Sequence, residues 1–124
     1  MAWLIDTISD TSKEVIVSCT AASGESAATV VDASSLLGNA GAGTEVLDIA
    51  AISWCSNGAL TIQFDADSDD TAMVLTGNGK MGGTDGFGIL RKNPKTTGYN
   101  GDIRATSAGS AFFIMKLRKA EGYS

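Results

Sequence analysis

Histidine is absent from all 124 residues, which leaves carboxylates, two thiols and a few cations as the groups able to do chemistry. Ser-His-Asp and Cys-His nucleophile systems need an imidazole poised near neutral pH, and so do most zinc sites. Those classes are set aside. The acidic run DADSDD (Asp65, Asp67, Asp69, Asp70) begins like a loop that wraps oxygens around a hard cation. Its sixth position is Asp70 rather than Gly and its twelfth is Thr76 rather than Glu, so the calcium pattern fails and no metal ligands are assigned.

The run Gly77-Asn78-Gly79-Lys80-Met81-Gly82-Gly83 has the composition of a phosphate cradle, but its lysine is not followed by Ser or Thr. Gly41-Ala42-Gly43 fails as a dinucleotide fingerprint because no βα unit surrounds it. No cofactor is expected. Paired carboxylates can hydrolyse glycosides without histidine, yet that needs a deep cleft, and two tryptophans in so short a chain offer little wall. The expectation is therefore a binding protein and not an enzyme. Cys19 and Cys55 fall on apolar strand patterns and read as buried free thiols.

The elements that would carry these residues repeat with period two. In KEVIVSCTA, Val15, Val17 and Cys19 alternate with Ile16 and Ser18, before a turn at Ser23-Gly24. TVVDAS (Thr29–Ser34) predicts a second short strand, and SLLGNAGAGTE a loop. In VLDIAAISWCSNGALTIQFD, Asn57-Gly58 is a strong hairpin signal, because a type I′ turn needs positive φ at both central residues. Pairing Ser56 with Ala59 puts Cys55, Ser53 and Ala51 on the core face with Leu60, Ile62 and Phe64. Trp54 and Ile52 then lie on the other face, under another layer or against a partner.

TAMVLTG predicts a strand, the Gly-rich run and residues 89–101 predict loops, and strands follow at Asp102–Thr106 and Ala111–Lys119. Seven or eight short strands predict an all-β fold, an antiparallel sandwich or jelly roll. The expected organisation is an arm or edge strand over 1–10, one sandwich domain over 11–119 and a tail over 120–124. The opening MAWLIDTISD lacks a basic region and does not read as a signal peptide, and no apolar stretch approaches membrane-spanning length.

Charge divides the chain. Residues 1–86 hold twelve acids against Lys13 and Lys80, and residues 87–124 hold seven bases against Asp102 and Glu121. Either the fold interleaves the two halves, or it has an acidic and a basic face suited to docking among charged neighbours. The overall charge of −5 and the lack of aromatics among the bases speak against nucleic acid. Trp3, Leu4 and Ile5 form an apolar triplet that is either an edge strand of its own domain or an arm inserted into a neighbour, where Trp is a favoured anchor. Trp54 is a second candidate contact, and Arg91, Lys92 and Lys95 form a candidate polar docking rim.

The ordered segments KEVIVSCTA, TVVDASSLLG, IAAISWCSNGALTIQFDAD, VLTGNGKMGG, GDIRATSAG and FFIMKLRK, over residues 11–119, resemble a family of small virion proteins of tailed bacteriophages. The family is similar to head decoration or cement proteins. Ser53 stands where its pattern carries an aromatic and Phe64 where it carries a tryptophan, so its packing does not transfer, and no catalytic residues come with it. The resemblance implies a capsid-decorating β-sandwich, a homotrimer on the capsid exterior, with the major capsid protein as partner and the host cytoplasm as its place of assembly. Alternatives are a tail- or fibre-associated subunit and a carbohydrate-binding module with Trp54 as sugar platform.

Overall fold

A computed structural model describes residues 3–38, 45–82 and 89–123. Gly41, Ala42, Gly43, Gly83 and Asp85 lie outside these residues. The fold is all-β and antiparallel. Its strands are β1 (Leu4–Asp10), β2 (Glu14–Ala21), β3 (Glu25–Val31), β4 (Val46–Phe64), β5 (Asp70–Gly82), β6 (Ile103–Ser107) and β7 (Ala111–Glu121), with one 3-10 turn at Ala33–Ser35. Together they make a curled sheet of order β1-β2-β7-β4-β6-β3, and β5 pairs along β4.

β4 explains the curl. Its first half, to Ser56, pairs with β7, and its second half, from Leu60, pairs with β6, while β5 accompanies both halves. The sheet therefore forks at Asn57-Gly58 into β1-β2-β7 and β3-β6, and the two branches close over one core. Phe113, Met115, Val15 and Val17 from one branch join Ile103, Ala105, Val30 and Val31 from the other. At the fork, the Asn57 N–H donates to Ser110 O (2.8 Å) and the Ala108 N–H donates to Ala59 O (2.9 Å), so the β6–β7 turn clamps the bend.

The fork corrects the predicted hairpin. Asn57-Gly58 does supply a positive φ, +101° at Gly58, but as an irregularity inside one continuous strand. The chain instead reverses between Phe64 and Asp70, at the acidic turn. A continuous strand keeps residues of one parity on one face, whereas the hairpin register mixes them. Ile52, Leu60, Ile62 and Phe64 accordingly face the core together, and Ser53 and Cys55 are exposed. Cys19 is buried as expected, Cys55 is not, and both thiols are free.

The predicted Gly-rich loop is also a strand as far as Gly82, because Gly77–Gly82 hydrogen-bonds along Ala51–Ser56. Gly79 has a specific use there: a Cβ would stand 3.0 Å from the Trp54 ring, so its absence lets the indole sit close against the strand. The expected tail over 120–124 is part of the fold through Tyr123, which packs on the core and donates from its hydroxyl to Ala33 O (2.7 Å).

Candidate functional site

Trp3 is 7% exposed and meets Phe113 edge-on, with ring centroids 5.4 Å apart. It is a core residue that pins β1 as an edge strand, so the arm reading does not hold for it. Alternation along β1 then turns Leu4 outward, 73% exposed, and Ile5 inward, to a groove between β1–β2 and β3 shared with Val17 and Val31. Trp54 is half-buried, packs against the core and donates from Nε1 to Thr76 O (3.1 Å). With one edge bonded and its ring against Gly79, the indole is poorly placed as a sugar platform.

The three basic candidates separate. Arg91 forms a bridge with Ile49 through its backbone, and its guanidinium reaches Thr71 O (3.4 Å) on the β5 side. Lys92 and Lys95 line a concavity of about 330 Å³ where the 89–95 loop crosses β4. Arg118 of β7 joins them from the other wall, and Ile89 and Arg118 continue the surface into a neighbouring hollow of about 480 Å³ with Lys13 and Lys116.

Local chemistry fixes this loop. The Asn93 N–H donates to Asp48 Oδ1 (3.1 Å), and Asn93 Oδ1 accepts from the Lys95 N–H (2.9 Å), closing a turn around Pro94. Lys95 is the one non-glycine residue with positive φ among the described residues, at +56°. Asn93 is 5% exposed, and its Nδ2 has no hydrogen-bond partner among the described residues. A buried amide donor without an acceptor is costly, about 1–3 kcal/mol, unless a ligand supplies one.

Charge pairing inside the fold is extensive. Lys119 pairs with Asp10, Lys116 with Glu14, Arg104 with Asp69, and Lys95 with Glu121. Three of these four join an acid of the first 86 residues to a base of the remainder, so the fold interleaves the two halves in part. Lys92 and Arg118 enter no ion pair among the described residues. The cleft also holds Asp48, opposite Arg118 in the β4–β7 register, and Glu121, paired with Lys95, so its three cations exceed its two carboxylates by one beside a buried orphan donor, and its small positive excess suits an anionic or carbonyl oxygen.

Three carboxylates of the acidic turn are engaged internally, while Asp67 is exposed. Asp69 accepts from Ala66 N–H and pairs with Arg104, Asp70 accepts from the Thr96 hydroxyl, and Asp65 accepts from Asn100 Nδ2. Among the described residues no three His, Cys, Asp or Glu side chains converge on a metal position. Sequence reasoning located Lys92 and Lys95 but missed Arg118 and Asn93. The only signal for Asn93 was its Asn-Pro dipeptide, a turn mark without functional content. No protein-family model, no curated protein and no solved structure matches this chain.

Proposed function

We propose that this chain is a non-enzymatic structural protein of a bacteriophage virion, which decorates the assembled capsid by docking its basic cleft on acidic or carbonyl groups of the major capsid protein. The observation that carries the reading is the cleft itself, where Lys92, Lys95 and Arg118 outnumber Asp48 and Glu121 beside the buried unpartnered amide of Asn93. The family resemblance supplies the kind of partner, and the all-β fold suits it. Binding only the assembled shell stabilises that shell through linkage, by about 2.7 kcal/mol per site at a hundredfold excess over Kd.

The test is co-sedimentation with undecorated shells of the phage that encodes this chain. Saturable binding, weakened by salt and abolished in K92E/R118E, is the expected result. A wild-type protein that leaves every shell form bare overturns the reading. The carbohydrate alternative draws no support from Trp54, whose indole is engaged within its own fold.

A further inference from the structure

The outward face of β1-β2-β7-β4-β5 is built symmetrically about β7, and its pattern of charge fits a second copy of itself. Register places Asp6 beside Ser18, Ser18 beside Ile114, Ile114 beside Ser53 and Ser53 beside Lys80. An acid therefore stands two strands to one side of Ile114 and a base two strands to the other. Both are exposed, and neither enters an ion pair among the described residues. The neighbouring row runs Leu4, Thr20, Phe112, Cys55, Asn78, with Phe112 at its centre, 41% exposed. Ile16 and Ala51 flank Lys116 of β7 on the next row, and Lys116 pairs with Glu14 (3.2 Å).

We infer that this face packs against the same face of a second copy, about a two-fold axis parallel to the strands and running over β7. That axis exchanges the two flanks of the sheet. It sets Asp6 of each copy over Lys80 of its partner, twice, and Phe112, Ile114 and Lys116 against their own counterparts. A two-fold axis across the strands would instead oppose Asp6 to Asp6 and Lys80 to Lys80. Like charges face to face are unfavourable, but the one contact between Lys116 side chains, each already paired with Glu14 of its own chain, is outweighed by the two Asp6–Lys80 contacts, so the charge pattern favours the first arrangement.

Strand spacing gives a face about 24 Å wide and about 20 Å along the strands, roughly 1,000 Å² in total over both copies. This lies at the lower limit for a specific interface, so the pair dissociates on dilution. Facing sheets align within about 30°, an offset that Asp and Lys side chains can span. An isologous face closes as a dimer, so the trimer implied by the family resemblance would need a different surface. The inference stands independently of the capsid reading.

Sedimentation velocity across a concentration series tests the pairing. The full-length chain should pass from monomer to dimer. K80D and D6K should each weaken association at least about tenfold, because each creates two like-charge contacts, and D6K/K80D should restore it by reversing both pairs. All the substituted positions are exposed, and circular dichroism verifies their folding. A chain that stays monomeric at all concentrations, associates as a trimer, or is not rescued by the double exchange overturns the inference.

Discussion

The Lys119 ammonium lies 2.5 Å from Asp10 Oδ1, at the end of a side chain with no exposed surface. The same nitrogen donates to Thr11 O and Leu37 O, each at 2.6 Å, and sits 5.1 Å from the centroid of the Tyr123 ring. One cation therefore ties the end of β1, the segment after the 3-10 turn and the C-terminal residues to β7. Removing one partner of a buried pair strands the other, at about 3–5 kcal/mol. Lys119→Met is expected to lose roughly that much in urea denaturation, far more than Lys92→Met at the cleft rim.

The same pair sets an acid limit. Burial raises the Asp10 pKa, but the Lys119 hydrogen bond, the Leu37 N–H and the Lys119 charge outweigh it and hold the carboxyl below its ordinary value. A depressed folded pKa contributes stability that is present above the unfolded value, about 3.9, and is lost as pH falls through the folded one. Asp102 acts oppositely, because burial raises its pKa and protonation on acidification relieves the cost. Asp10→Asn should lower stability at pH 7 and flatten its decline below about pH 4. An unchanged acid limb would remove Asp10 from that account.

Trp3 and Leu4 are sequence neighbours with opposite roles. Trp3→Ala empties a core position against Phe113 and should cost about 3 kcal/mol, whereas Leu4→Ala should change stability by less than about 0.5 kcal/mol. Removal of residues 1–5 is expected to destabilise the domain, which thermal unfolding of the truncated chain will show.

The two thiols differ in access. Cys19 is fully buried, and burial pushes its thiol up to about 12, while Cys55 is exposed. A thiol reagent at pH 8 should label one equivalent in the native protein and two after denaturation. Two rapid native equivalents would mean that the core opens around Cys19.

Gly109 and Gly77 separate crowding from backbone strain. A Cβ on Gly109 would lie 2.3 Å from Asn57 O, inside the clamp at the fork. Gly109→Ala is expected to cost about 2 kcal/mol by overpacking. Gly77 has φ +67° and nothing within 4 Å of a Cβ, so Gly77→Ala should cost only about 1 kcal/mol, through its left-handed backbone. Chemical denaturation of both variants ranks them.

The strands that alternate against a solvated face were legible in the sequence. Val15, Val17 and Cys19 in β2, and Phe113, Met115 and Leu117 in β7, all point inward as their spacing requires. The failures share one cause. Asn57-Gly58 and the Gly77–Gly82 run carry strong local turn chemistry, but pairing with β5, β6 and β7 overrides it, and no local pattern announces a partner distant in sequence. The cleft was half legible for the same reason. Lys92 and Lys95 stand out as a basic cluster, whereas Arg118 reaches them only through the register of β7 on β4. Lys119 continues the inward parity of Phe113, Met115 and Leu117, and it is the most enclosed cation among the described residues because three backbone and side-chain oxygens converge there.

The fork in β4 has a consequence for how the molecule comes apart. Because β4 and β5 each run through both branches, neither branch owns a complete set of strands that could persist while the other melts. Sub-global opening units are contiguous and self-supporting, and a shared spine denies the chain that division. The amides of Val17 and Ala105, one in each branch, should then exchange through the same whole-molecule event, so that the domain behaves under load as a single latch.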